Sequence, residues 1–249
     1  MSLFTNIATW FEGVKAEFIL NFVMKDRWKL LVNGLGNTLL ITFLALCLGI
    51  VIGVIIAVVR TSWDNTGHKM RPGIGRALMR FVNGFCQVYV TVIRGTPMVI
   101  QLLIMYYVIF ASSSNGLMVA ALAFGINSGA YVAEIIRSGI MSIEKGQMEA
   151  GRSVGLNYIQ TMWYIIAPQV LKNVLPTLAN EFIVLLKETS VAGYVAVADL
   201  TFAGNRIRGV TYSAFMPLIA VALIYLVLVM FLTYLVGKLE RRLRQGDNR

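Results

Sequence analysis

Charge is scarce in this 249-residue chain: 14% of its residues are Asp, Glu, Lys or Arg, against 57% hydrophobic. With a mean hydropathy of +0.72, that balance excludes an ordinary soluble domain and is that of a membrane protein. Histidine is almost absent. The one residue, His68, sits in a polar loop, so neither zinc ligation nor histidine-based catalysis is indicated. Cys47 and Cys86 both lie in apolar surroundings, which supplies neither a disulfide framework nor a metal cluster. No phosphate-binding loop of the form G-x-x-x-x-G-K-[ST] occurs, and no low-complexity tract or internal repeat is present. The net charge of +10 raises nucleic acid as a partner. The basic residues, however, cluster beside apolar runs, a distribution that sets membrane topology and not DNA contact.

Five apolar stretches reach the roughly 20 residues needed to cross the hydrocarbon core. They are residues 35–59, 81–110, 117–140, 174–198 and 214–236, and they predict an all-α polytopic membrane protein with five transmembrane helices. The second is long enough to tilt or to project from the bilayer. Residues 1–32 mix Trp10, Phe11, Phe18, Ile19, Phe22 and Trp28 with both charge signs. They lack the apolar core and cleavage site of a signal peptide, and predict an amphipathic helix at the membrane surface.

Positive charge sets the orientation. Arg60, Lys69, Arg71, Arg76 and Arg80 face a single Asp64 between the first two spans, and Lys238, Arg241, Arg242, Arg244 and Arg249 follow the last. Both groups are expected in the cytoplasm, with the N-terminus outside and residues 141–173 inside. Arg206 and Arg208, in an outer connection at 201–213, run against the rule.

Residues 141–173 lie between two spans and carry their own apolar pattern. Val154, Tyr158, Met162 and Ile166 recur every four positions, with Leu156, Ile159 and Trp163 close beside them, which predicts one apolar helix face. Gly155 leaves room for a sharp turn. Glu149 is expected early in a first short helix, where a carboxylate meets the positive end of the helix dipole. Such a face docks on another chain or lies on lipid.

The spacing in this segment is Glu149-Ala150-Gly151, three residues, Gly155, nine residues, then Ile165-Ile166-Ala167-Pro168. It resembles the EAA motif of binding-protein-dependent ABC importer permeases, with Gly151 in place of the second alanine and Ala167 in place of the leucine. Four further elements resemble the polar amino-acid (His/Glu/Gln/Arg/opine) permeases in order along the chain. These are Asn33-Gly34-Leu35-Gly36-Asn37-Thr38-Leu39; Arg94-Gly95-Thr96-Pro97; Glu134 to Ile140 running into Gly146-Gln147; and Asn180-Glu181-Phe182 followed by Lys187-Glu188-Thr189-Ser190. Together they span residues 33–237, between the N-terminal segment and a basic tail at 238–249.

The resemblance implies a type I importer permease in the bacterial cytoplasmic membrane, its 141–173 loop forming a cytoplasmic helix-turn-helix that couples to a separate ATPase subunit. Glu149, Ala150, Gly151, Gly155, Leu156, Tyr158, Trp163 and Pro168 are then the coupling residues, and Met148, Leu156, Tyr158 and Trp163 the contacts on the ATPase. The chain itself would be no enzyme and hold no cofactor, since ATP and Mg would bind the partner. A second permease, identical or paralogous, and an extracytoplasmic substrate-binding protein complete the implied assembly, with a polar amino acid as cargo.

Polar residues inside the spans are costly and mark function or pairing. Arg94 lies three residues before Pro97, which removes a helical hydrogen bond to the Ile93 carbonyl and bends the helix. A freed carbonyl beside a guanidinium can meet a zwitterion; a salt bridge to a neighbouring helix is the alternative. Glu134 and Arg137 share a helix face and serve as a neutralising pair or an inner gate. In the fourth span, Asn180, Glu181, Lys187 and Glu188 form a polar stripe, and Thr189, Ser190 and Gly193 weaken the helix after it. With Arg94 and Thr96 these make the candidate substrate path, carboxylates for an ammonium and cations or hydroxyls for a carboxylate. An interhelical ion-pair network accounts for the same stripe. Two other classes are open: an ion-coupled transporter, which needs no ATPase-docking loop, and an intramembrane enzyme, for which no nucleophile–base constellation is present.

Overall fold

The computed structural model describes residues 2–67 and 70–244, so that His68, Lys69 and Arg249 lie outside the described residues. Among the described residues no strand forms. The elements in chain order are α1 (Ser2–Phe18), α2 (Trp28–Ser62), α3 (Ile74–Gly95), α4 (Met98–Ile104), α5 (Gly116–Met141), α6 (Lys145–Ser153), α7 (Tyr158–Thr161), α8 (Ala167–Glu188), α9 (Leu200–Thr211) and α10 (Phe215–Arg244).

The centre is the α2–α5 pair. Ala45, Gly49, Gly53 and Ala57 on α2 and Ala121, Gly125, Gly129 and Ala133 on α5 are each spaced by four, and all are buried. Two such stripes let backbones approach closely, the arrangement that holds membrane helices together when lipid is as apolar as leucine. The fit is tight: a Cβ on Gly53 would stand 2.5 Å from Val132 Cγ1, and one on Gly125 2.7 Å from Leu48 Cδ2. Helix α5 is the most enclosed, with 67% of its apolar window buried against 11% for α10, which lies at the periphery.

Three helical stretches among the described residues are long and apolar enough to cross a bilayer: Trp28–Gly67, Gly116–Met141 and Phe215–Leu243. The expected second span is broken in two, α3 meeting α4 and its extension to Ile109 at 109°. Pro97 is the cause, and its effect is larger than a kink. Thr96, barred from helix by the proline that follows, is extended (φ −119°, ψ 145°), and Pro97 is extended too (ψ 135°). The expected fourth span begins earlier, at Ala167, and its helix stops at Glu188; its polar residues keep it out of the set that qualifies on apolarity. Residues Thr189–Val195 tighten into a 3-10 turn, and Ala196 then takes a left-handed conformation (φ 56°). On length and composition alone, the described residues hold three such helices and one broken pair.

Residues 21–31 pack against the bundle. Residue 32 falls inside α2, which is unbroken from Trp28. Asn21 is buried and accepts a hydrogen bond from Thr211 Oγ1 at 2.7 Å. Phe22 and Leu31 pack with Leu200, Ala203, Ile207 and Val221. The Asn33–Leu39 run ties α2 to the start of α9. Asn37 Nδ2 donates to the Ala198 carbonyl at 2.8 Å, and Thr38 Oγ1 accepts from the Leu200 amide at 3.1 Å. A Cβ on Gly34 would stand 2.7 Å from the Asp199 carbonyl oxygen. Asp199 in turn caps α9, accepting from the Thr201 and Phe202 amides at 3.0 and 2.9 Å.

Candidate functional site

The 141–173 segment is a helical hairpin. Helix α6 ends at Ser153, the chain reverses at Val154-Gly155-Leu156, and Gly155 takes φ +90°, a conformation that favours glycine. Asn157 restarts the helix with a capping box: its Oδ1 accepts from the Gln160 amide, and Gln160 Oε1 accepts from the Asn157 amide, both at 2.9 Å. Gly151, the departure from the motif's alanine, faces Thr161, whose Cγ2 would lie 2.4 Å from an added Cβ. A methyl there would push the two arms apart.

After Asn157 the backbone stays helical. Helix α7, a π turn at Met162–Ile166 and α8 follow without a break, and the residues at both joints, Thr161, Ile166 and Ala167, keep right-handed helical angles. Pro168 sits at the start of α8 and Pro176 inside it. At 1.5 Å per residue the rod from Tyr158 to Glu188 is about 45 Å long. Its lower end is the hairpin's second arm. Its upper part carries Asn180, Glu181, Lys187 and Glu188.

The apolar residues of the hairpin divide between two faces, where the sequence predicted one. Ile166, Val170 and Val174 are buried with Ile135, Ile136, Ile140, Met148, Met162 and Ile165 around them. Met148, expected on a partner, is therefore turned into its own chain. Val154, Ile159, Trp163 and Tyr164 are exposed, between 69% and 77%. Four large apolar side chains at one hairpin form an uncovered patch. Leu156 and Tyr158 are half-buried and Ala150 exposed. Glu149 is also exposed but lies mid-helix in α6, whose first turn holds no acidic residue, so the expected dipole role is absent.

Around the broken span the polar side chains are joined. Gln101 Nε2 donates to the Ile93 carbonyl at 2.7 Å, to the Thr96 carbonyl at 3.1 Å and to Thr96 Oγ1 at 2.7 Å. Its Oε1 accepts from Asn127 Nδ2 at 2.9 Å. The carbonyl that Pro97 frees is thus taken by a side-chain amide. Next to Asn127 on α5, the fully buried Ser128 donates to Glu181 Oε1 at 3.0 Å. Thr96 and Glu181, singled out separately in sequence, are linked through Gln101, Asn127 and Ser128, which were not. Two adjacent polar residues in an apolar span were the signal available for the last two.

Arg94 forms no ion pair among the described residues; its guanidinium lies 5.3 Å from the centre of the Tyr131 ring. Arg94, Tyr131, Glu134, Ser138, Asn173 and Thr177 line a cavity of about 470 Å³ near the hairpin end of α5 and α8. Glu134 and Arg137 are 3.7 Å apart, yet each has a nearer partner. Arg60, from the end of α2, is hydrogen-bonded to Glu134, and Arg137 is 3.0 Å from Asp64. Four charges, two of each sign, lock the end of α2 to the end of α5. Lys187, Glu188, Thr189 and Ser190 stand about two turns beyond Glu181 and join neither group. Thr189 is buried and donates to the Leu186 carbonyl at 2.8 Å.

The helical stretch from Tyr158 to Glu188 thus joins a hairpin with exposed apolar side chains to a cluster of hydrogen-bonded polar residues between helices. Residues 73–245 match the family of binding-protein-dependent transport system inner membrane components, and the chain belongs to that family. It is 34% identical over 226 residues, 90% of each chain, to the L-cystine transport system permease protein TcyB of Bacillus subtilis (strain 168). To the arginine transport system permease protein ArtQ of the same organism it is 38% identical over 162 residues, 64% of this chain and 74% of the other. The crystal structure of an amino acid ABC transporter with histidines superposes with a TM-score of 0.77 at 38% identity, covering 88% of this chain and 97% of that one. The protein is thus a multi-pass inner membrane permease component with the type I importer fold.

Proposed function

We propose that this chain is the permease subunit of an ATP-driven importer carrying a polar amino acid across the cytoplasmic membrane by alternating access. The observation that carries the reading is the continuous helical stretch from Tyr158 to Glu188, which joins an exposed hairpin to Glu181 along one backbone. A separate ATPase subunit, holding ATP and Mg, docks on the hairpin through Val154, Ile159, Trp163 and Tyr164. An extracytoplasmic binding protein delivers the cargo, and a second permease, identical or paralogous, faces this one. The N-terminus lies outside and the hairpin and basic tail inside, as the flanking arginines favour.

Closure of the ATPase subunits draws the paired hairpins together, and α8 moves with its hairpin. Arg60–Glu134 and Arg137–Asp64 hold the inner ends of α2 and α5 as one body while the hairpin end of α8 swings against them about the Ser128–Glu181 contact. Glu181 offers its carboxylate to an ammonium, and Arg94 a cation to a carboxylate. Glu181 and Glu188 lean toward neutral or cationic side chains, and Lys187 beside them offsets that preference. The test is reconstitution. Purified complex in liposomes, supplied with the binding protein, takes up labelled L-arginine, L-glutamine or L-cystine with ATP and not with a non-hydrolysable analogue. Uptake driven by an ion gradient in the absence of ATP contradicts the reading.

A further inference from the structure

We propose that Gln101 is a positioning residue for cargo passage, holding the break at Thr96-Pro97 in fixed register with Glu181. This rests on the importer reading above. The break itself creates the need. Pro97 has no N–H to give the Ile93 carbonyl, and the Thr96 carbonyl falls where the helix stops, so two acceptors are left without a helical partner. One side-chain NH2 answers both and also meets the Thr96 hydroxyl, its two protons shared among the three acceptors. That hydroxyl has its own proton committed to the Val92 carbonyl at 2.9 Å, so it can only accept from Gln101. The orientation of the amide is forced: acceptors surround its nitrogen, and the Asn127 donor faces its oxygen.

The other half of the argument lies on α5. Asn127 is 3% exposed and Ser128 fully buried, and they are neighbours in the chain. Asn127 holds Gln101 on α4 and Ser128 holds Glu181 on α8. One residue before them, the Ile126 carbonyl accepts from the Tyr89 hydroxyl on α3. Three consecutive residues of the most enclosed helix thereby fix α3, α4 and α8 to one point. Without Gln101, the fixed point no longer includes the broken span. The rod still moves with its hairpin, but Thr96 is no longer held in register with Glu181, and the stroke does less to the cargo.

The experiment uses the complete transporter in liposomes with its binding protein and labelled L-arginine, L-glutamine and L-cystine. The readout is amino acid moved per ATP hydrolysed, which a general loss of folded protein leaves unchanged. Gln101→Met keeps the length and loses every hydrogen bond. Gln101→Glu keeps the shape and turns the donor side into an acceptor. Both are expected to lower the ratio by about tenfold or more while the assembled complex still hydrolyses ATP, as misplacement by about 1 Å does in a preorganised site. Acidification from about pH 8 to about pH 6 should partly restore the Glu variant alone, since a protonated carboxyl again supplies a donor. Tyr89, Arg94 and Glu181, the ionisable groups of α3 and α8 around this point, are common to all the proteins compared, so their titration cancels. A ratio within about twofold of wild type in both variants overturns the proposal, as does a Glu variant whose pH profile matches that of the Met variant. If neither variant assembles, Asn127→Ala decides: it cuts the tie to α5 without touching the broken span, so reduced coupling supports the proposal and wild-type coupling refutes it. Wild-type liposomes that take up none of the three probes sink the importer reading, a result distinct from any difference between variants.

Discussion

Four charges at the ends of α2 and α5 decide more than their positions suggest. The Arg60 and Glu134 side chains are only 17% and 27% exposed, so their pair is no solvent-screened surface contact. Removing one partner strands the other in a poorly solvated place. Glu134→Gln takes the counter-charge from Arg60 and from Arg137 together, and we expect a loss of about 1–3 kcal/mol, read as a lower Tm of the purified complex. Arg60→Gln in the same background should recover part of that loss, because it removes the stranded cation. An unchanged Tm in Glu134→Gln assigns the network no structural weight. Glu134 and Arg137 were legible as an i, i+3 pair in one helix. Arg60 and Asp64 were not, since they come from more than 70 residues away and read in sequence as part of a topological charge cluster.

At the scale of elements, the hairpin is where local sequence spoke most clearly. Gly155 reverses the chain, and Asn157 with Gln160 restarts it; each of these is a short-range effect visible in the spacing. Gly155→Leu forces a branched side chain into a left-handed turn at about 1–2 kcal/mol and re-aims the first arm. Membrane insertion should stay at wild-type levels by fractionation, and ATP-driven uptake should be lost; normal uptake contradicts the lever. Gly151→Val should act similarly, by collision with Thr161 and Ile165, although its turn is untouched. The break at Thr96-Pro97 was visible only as a bend. A proline announces a lost hydrogen bond, but the size of the deflection depends on Gln101 four residues on, which stabilises an open break that a kinked helix would not need. The division of the hairpin's apolar residues into two faces was also hidden, because which face is covered depends on α5, a separate span.

For the whole molecule, packing rests on small residues. The stripes on α2 and α5 were present in the sequence, but apolarity alone does not distinguish a helix–helix seam from a lipid-facing side. Gly53→Leu places a side chain where even a Cβ would lie 2.5 Å from Val132, and overpacking of this kind costs about 1–3 kcal/mol or more. Size-exclusion profiles in detergent should show less monodisperse protein; a wild-type profile contradicts the seam. The central claim is that this bundle is moved by a motor on another chain, through one rod. Site-specific cross-linking tests it most directly. In a chain with Cys47 and Cys86 replaced, a photoreactive label on Trp163→Cys in native membranes should capture a nucleotide-binding polypeptide, with a yield that changes when ATP is added. Labelling of that position by an impermeant reagent applied from outside intact cells, or capture of lipid alone with and without ATP, would contradict it.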